Sequence, residues 1–348
     1  MTAQLSASPA TVSLPEFDVD TVAATDLESV EAVMRRLARG SRVGRAGTMV
    51  LEQLTTGGKR LRARLALQMC HSHDVSSDEA IPWAAAVELL HNATLVHDDV
   101  QDGDRTRRGH PTVWAKHGIA QAINAGDLLL MLPFIAIGEL GRESGPLMLE
   151  VARAAAEAVR GQAEELGLLA SGRLDMESYR AAAAGKTGAL LALPVRGALV
   201  LSGLPSARID ALGDLFVELG ILFQLQDDVA DLFGDKGRAQ VGSDICEGRV
   251  SALVVAQAEL EPSSVGELLA ILHTPREETT VHQILHAKRL FRESGALRAV
   301  LAQICEIAAR VLTAAPVAAN PAILGTASSL VDRSLAPVRH LLNQPERW

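Results

Sequence analysis

From Asp26 onward, apolar positions recur at spacings of three and four with charged positions between them, the period of helices that bury one face. The pattern breaks at Gly57-Gly58, Gly109-His110-Pro111, Ser171-Gly172, Gly203-Leu204-Pro205 and Asn320-Pro321, where glycine and proline stop a helix or turn the chain. No series of alternating apolar and polar residues points to a sheet, so the pattern predicts an all-α chain. Residues 1–25 lack sustained periodicity and are expected to form a flexible leader, with 26–348 a single helical domain. Residues 262–280 read as a loop holding a short helix. No stretch of about 18 uncharged apolar residues stands out as a membrane span, and 192–204 reads as a buried core helix.

Two of these helices end alike. Val87 to Asp102 reads VELLHNATLVHDDVQD, and Phe216 to Asp231 reads FVELGILFQLQDDVAD. Asp98 and Asp102 are four apart, as are Asp227 and Asp231, so each pair shares a helix face, where like charges repel unless a cation sits between them. Mg²⁺ takes one or two carboxylates together with water and substrate phosphates, and Arg105, Arg107 and Arg108 follow the first cluster with guanidinium groups suited to diphosphate oxygens. One such helix end is ordinarily a solvated charged face. Two of them, facing each other, would set up to six carboxylates around one cavity.

Composition narrows the picture. With 48% hydrophobic residues in 348 the chain can bury a large core, while 3% aromatics and a single tyrosine favour helices over sheets. A net charge of −9 excludes a general nucleic-acid binder, so any phosphate site is local. One candidate is Thr55 to Arg64, TTGGKRLRAR, where a Gly-Gly turn releases Lys59, Arg60, Arg62 and Arg64 at a helix start. Lacking the spaced glycines and the Lys-Ser/Thr ending, it is not a Walker loop. Another candidate is Lys186 with Thr187 in AAAAGKTGALLALP, where a lone lysine either snorkels or serves a site. Cys70, Cys246 and Cys305 are too scattered for a metal knuckle and read as reduced thiols. The first basic residue is Arg35, so no secretory signal is recognisable and a cytoplasmic location is the default expectation.

Taken in order, GGKRLR, HDDVQDGDRTRRG, GKTGALL, FQLQDDVAD and GSDICEGRVSAL resemble the signature segments of the trans-isoprenyl (polyprenyl) diphosphate synthases, over Gly57 to Leu253. The resemblance implies an isoprenoid synthase helical bundle around a central cavity, a homodimer, and head-to-tail condensation of isopentenyl diphosphate with an allylic diphosphate (dimethylallyl, geranyl or farnesyl). It makes Asp98, Asp99, Asp102, Asp227, Asp228 and Asp231 ligands of Mg²⁺, three ions in all. Lys186, Thr187, Gln224 and Arg107 fall on the allylic diphosphate, and Lys59, Arg62, His91 and Arg108 on isopentenyl diphosphate. Asp98, Asp99, Asp102, Lys186, Asp227 and Asp228 are the expected catalytic groups, with Arg249 a further substrate-binding one. His97 and His110 are expected to be structural.

Three positions depart from the family pattern. Gln240 and Val241 stand where a lysine is usual, leaving Lys236 or Arg238 to supply the charge; Arg249 replaces another lysine; and Ala63 replaces a frequent proline. Ala93 and Thr94, five and four residues before Asp98, are the expected chain-length positions. Being small, they leave room for a geranylgeranyl (C20) or longer product. The rival readings are a terpene cyclase of the same fold, which needs no second diphosphate pocket, and a non-catalytic subunit of a synthase, which would tend to lose acidic ligands.

Overall fold

The computed structural model describes residues 17–41, 44–141, 144–234 and 241–343. Helices α1 (Ala24–Arg39), α2 (Arg45–Thr55), α3 (Leu61–His71) and α4 (Ser77–Gln101) lead to a two-residue hairpin, β1 (Thr106–Arg107) with β2 (His110–Pro111). Next come α5 (Val113–His117), α6 (Ile119–Gly138), α7 (Ser144–Ser171), α8 (Met176–Ala183), α9 (Ala189–Leu201) and α10 (Ser206–Phe233). The remainder comprises α11 (Ser243–Cys246), α12 (Ala252–Leu260), α13 (Val265–Leu272), α14 (Val281–Glu293), α15 (Ala296–Thr313), α16 (Ala315–Ala318), α17 (Pro321–Leu335) and α18 (Arg339–Leu342). The glycine and proline breaks read from the sequence all fall outside these helices or at their edges.

The leader boundary differs from the expectation. Val19 is fully buried, Asp18 accepts a hydrogen bond from Ser329 Oγ at 2.8 Å, and Phe17 lies against Gly325, so the chain is packed from residue 17. Residues 1–16 lie outside the described part, as do Lys236, Arg238 and Gln240.

Helices α4, α9 and α10 form the middle of the bundle, α4 packing on α3 and α6, and α9 on α3, α7 and α10. Trp83 of α4 is fully buried in a seat left open by Gly197 of α9, and its indole N–H donates to Pro194 O at 3.1 Å. An indole is buried at low cost when its one donor is satisfied.

Between α8 and α9 the chain makes a π-helical turn, Ala184–Gly188. It fits between α7 and α10 because the contacts are glycines. A Cβ on Gly185 would lie 2.7 Å from Glu157 O, one on Gly188 would lie 2.9 Å from Val217 Cγ1, and Gly161 and Gly220 face the turn from the two neighbouring helices.

Two helical stretches, Ile119–Gly138 and Met176–Leu201, are long and apolar enough to cross a membrane by length and composition, which the sequence reading did not single out. The second is mostly buried in the bundle. Helix α6 buries Ala122, Ala125, Leu129 and Leu132 but leaves Ile119, Ile123, Met131 and Ile135 46–55% exposed. Leu149, Val159 and Leu166 of α7 are 49–63% exposed.

Candidate active site

The first acidic cluster closes α4. Asp98 lines a cavity, Asp102 caps the helix with its N–H on Asp98 O at 2.8 Å, and Asp99 is turned into the protein, 1% exposed, where it accepts from Arg107 Nε at 2.6 Å. The other oxygen, Asp99 Oδ2, is buried without a partner. Burial pushes both Asp98 and Asp99 up to about 6; Lys186 opposes the shift at Asp98, with Asp102 and Glu165 adding to it, and Arg107 opposes it at Asp99.

The second cluster lies near the end of α10. Asp227 keeps an accessible edge, whereas Asp228 and Asp231 are 4% and 3% exposed. Asp228 accepts from Tyr179 O–H and Ala252 N–H, both at 2.7 Å, and from Gln224 Nε2 at 2.9 Å; burial drives it up to about 7 against these donors. Asp231 accepts from Ser243 Oγ at 2.6 Å and from the amides of Ser243 and Asp244, both at 3.2 Å, and so holds the start of α11. The six carboxylates are therefore not equivalent as the sequence suggested. Asp98 and Asp102 line cavities and Asp227 is partly exposed, while Asp99, Asp228 and Asp231 are almost fully buried among their neighbours.

Side chains from three further elements complete the mouth. Arg249, just before α12, lies 2.5 Å from Asp102 and 2.8 Å from Glu247; burial works against its charge, but Asp102 and Glu247 more than offset that and its pKa is raised. Lys186 of the π-turn pairs with Glu165 of α7, and Thr187 Oγ donates to Gln224 Oε1 at 2.9 Å. Arg276, in the α13–α14 loop, lies 3.2 Å from Asp104 and 3.5 Å from Glu247. Glu165, Tyr179 and Arg276 have no motif to announce them, and Glu247 lies inside GSDICEGRVSAL without an expected role; their signal is spatial.

Below Asp98 runs a cavity of about 320 Å³. Arg62, His91, Gln101, Lys186 and Thr187 line it with polar groups, and Leu90, Leu95, Leu130, Ala155, Val159 and Leu190 with apolar ones. Thr94 is on its wall. Ala93 is not, being fully buried in the core, which corrects its expected place beside the tail. His97 also lines the cavity, 3.5 Å from Asp127. A second cavity of about 510 Å³, lined by Asp102, Glu165, Arg249 and Arg276, shares Gln101 and Leu166 with the first.

The basic pocket forms where the Gly57-Gly58 turn meets the β1–β2 hairpin. Both glycines have positive φ, and a Cβ on Gly58 would lie 2.7 Å from Arg108 Cζ, while the Arg108 guanidinium donates to Gly57 O. Arg62 Nη1 lies 3.1 Å from His91 Nε2. Burial, then Arg62 and Arg108, hold His91 well below its ordinary range, so it stays neutral. Lys59 is exposed beside them. Arg60 is different: 8% exposed, it turns inward to Leu54 O at 2.7 Å and Glu88 at 3.3 Å, and serves the core.

The donor set suits a hard dication. One carboxylate oxygen, Asp99 Oδ2, is buried without a partner, and burial raises Asp98, Asp99 and Asp228 toward the protonated form. Among the described residues no three carboxylate, imidazole or thiol groups already form a metal-holding cluster. Asp99 and Asp102 are instead paired with arginines.

Residues 46–288 match the model of the polyprenyl synthetase family. A short chain isoprenyl diphosphate synthase of Methanocaldococcus jannaschii is 38% identical over 226 residues, 63% of this chain and 68% of that protein. A geranylgeranyl diphosphate synthase of Mycobacterium tuberculosis is 32% identical over 244 residues, 69% of each chain. The crystal structure of a polyprenyl synthetase from Streptomyces coelicolor superposes with a TM-score of 0.81 at 26% identity, covering 91% of this chain and 99% of that one. This chain belongs to the polyprenyl synthetase family.

Proposed function

We propose that the chain elongates an allylic diphosphate by head-to-tail condensation with isopentenyl diphosphate, giving a geranylgeranyl-type (C20) or longer product. The observation that supports the reading is that one cavity with a largely apolar wall is lined by Asp98 and Lys186 and also by Arg62 and His91, with Arg108 held on the neighbouring Gly57-Gly58 turn. A cyclase of the same fold has no use for the group of Arg62, His91 and Arg108. The family match and relatives named as short-chain and geranylgeranyl synthases support it.

Asp98, Asp102 and Asp227 would hold Mg²⁺, three ions in the full complement, which when bound neutralises negative charge on the departing diphosphate. Asp99, Asp228 and Asp231 would keep those ligands in place. Lys186, Thr187, Gln224, Arg107 and Arg249 bind the allylic diphosphate, so that its carbon–oxygen bond breaks with the electron pair going to oxygen. The basic pocket holds isopentenyl diphosphate with its alkene toward the resulting cation; the π electrons form the new carbon–carbon bond, and the adjacent carbon gives its proton to the released diphosphate while the C–H electrons form the new double bond. Thr94 and the apolar wall take the growing tail. His91, kept neutral, donates or accepts a hydrogen bond without competing as a cation.

We infer a homodimer formed through the exposed apolar stripes of α6 and α7, larger than scattered surface leucines account for. A cytosolic location belongs to the same reading.

The test is incubation with Mg²⁺, isopentenyl diphosphate and, separately, dimethylallyl, geranyl and farnesyl diphosphates, followed by mass spectrometry of the dephosphorylated products. Linear prenyl alcohols are expected. Cyclic hydrocarbons formed without consumption of isopentenyl diphosphate would replace this reading with a cyclase, and inactivity without a partner chain would point to a subunit.

A further inference from the structure

The chain's one tyrosine, Tyr179 of α8, belongs to none of the motifs read from the sequence, yet it lies beneath the second acidic cluster, 5% exposed. Its hydroxyl donates to Asp228 Oδ2 at 2.7 Å. Asp228 receives two more hydrogen bonds: Ala252 N–H on the same oxygen at 2.7 Å, and Gln224 Nε2 on the other at 2.9 Å. Gln224 then accepts from Thr187 Oγ at 2.9 Å, and Thr187 lines the cavity beside Lys186 and Asp98.

A phenol next to a carboxylate acts as a fixed donor, and a carboxylate with three donors has little freedom to rotate. Tyr179 is also kept from ionising, by burial first and then by Asp228, Glu165 and Asp244 around it. The relay runs in two directions: through Gln224 to Thr187, and through the Ala252 amide to the start of α12, three residues after Arg249.

We propose that Tyr179 is a positioning residue for the diphosphate end of the site: its hydroxyl orients Asp228, which in turn sets Gln224 and Thr187 on one side and the segment carrying Arg249 on the other. The inference rests on the proposed function. A tyrosine that only fills space or satisfies a buried acid would affect stability alone; one that positions the site affects how Mg²⁺ and diphosphate are bound.

The test compares wild type with Tyr179→Phe, which keeps the ring and removes the donor. Calorimetric titration of inorganic diphosphate in the presence of Mg²⁺ is read beside steady-state kinetics. Groups behind metal ligands typically change affinity or activity by about 10- to 100-fold. The variant is therefore expected to bind Mg²⁺-diphosphate about tenfold more weakly and to need more Mg²⁺ for half-maximal rate. Its KM for isopentenyl diphosphate, which is bound at the separate basic pocket, should stay within about twofold on the same reasoning.

Gln224→Leu cuts the relay above Asp228 and should weaken diphosphate binding in the same way; the double variant should be no worse than the poorer single one, because both interrupt one chain. Because Gln224 itself faces the diphosphate in the proposed function, its loss alone does not test Tyr179. If Tyr179→Phe does not fold, Tyr179→His, which keeps a ring N–H donor, takes its place: Mg²⁺-diphosphate affinity within about twofold of wild type is expected, and a loss of about tenfold at unchanged melting temperature overturns the proposal. A lower melting temperature with unchanged diphosphate affinity, or additive losses in the double variant, overturns the proposal. The calorimetric arm does not need turnover, so a wild type that makes no prenyl chain would refute the proposed function while the role of Tyr179 was still judged.

Discussion

Asp98 and Asp228 are both aspartates of a repeated motif, but one faces a cavity and the other is tied down by three donors. Replacing Asp98 or Asp227 with Asn should reduce turnover by about 100-fold or more, as loss of a charge-stabilising group typically does, with the melting temperature retained; steady-state kinetics with scanning calorimetry checks it. The raised carboxylates also set a pH dependence. Asp98 and Asp99 titrate near 6 and Asp228 near 7, above their unfolded values, so the folded protein binds these protons more tightly. Their contribution to stability is present at pH 4 and is lost as pH rises through 6 and 7. Mg²⁺ needs the ionised form, so the gain in melting temperature from Mg²⁺ with diphosphate should be larger at pH 7.5 than at pH 5; equal gains at both would count against these groups as ligands. Residue types and spacing were legible in the sequence because aspartates on an apolar helix face are rare and expensive. The division of labour among them was not, since it depends on Tyr179, Ser243 and Ala252, which come from other elements.

Periodicity located α4 and α10 because each presents a wide apolar face that only a helical period explains. The π-turn had no such signature: its extra residue is set by what α7 and α10 allow, and the glycines at 161, 185, 188 and 220 are scattered over 60 positions of the sequence. Gly220→Ala would drive a methyl into Gly188, and the turn would have to move, taking Lys186 and Thr187 with it. The expected cost is about 1–3 kcal/mol, with a larger fall in activity than that loss explains, measured by denaturant unfolding and by initial rates at a temperature where the variant is folded. The basic segment shows the same division. Arg60, in sequence indistinguishable from Arg62, turns left-handed (φ 49°) and pairs with buried Glu88. Glu88→Gln takes one of two carboxylates from that guanidinium, which keeps Glu31 at 3.4 Å, and should destabilise the chain by about 1–3 kcal/mol without altering its products, a result that unfolding curves and product analysis would separate.

At the scale of the whole molecule, the all-α class was readable from composition and period together, while the outer surface was not, because an apolar residue facing solvent and one facing the core look alike in a helical repeat. Ile123, Met131 and Ile135 on α6 are the cases in point. If the proposed dimer forms through α6, wild type sediments as a dimer and Met131→Glu as a monomer; a monomeric wild type would refute the dimer, and a dimeric variant would place the interface elsewhere. Val159 and Leu166 are more than half exposed and yet line the tail cavity, so its wall is completed by whatever covers α7.

The charges at the mouth of the cavity are held in couples, Asp102 with Arg249 and Glu165 with Lys186, and buried behind them Asp99 is held by Arg107. A dication arriving by itself at Asp102 must displace Arg249, and a diphosphate arriving by itself must draw Arg249 or Lys186 away from its acid. Arriving together, they let every group change partner with none left unmatched. Metal and diphosphate should therefore be thermodynamically linked, each raising the affinity of the other by one common factor, and substrate stripped of its metal should be held poorly however many arginines surround it.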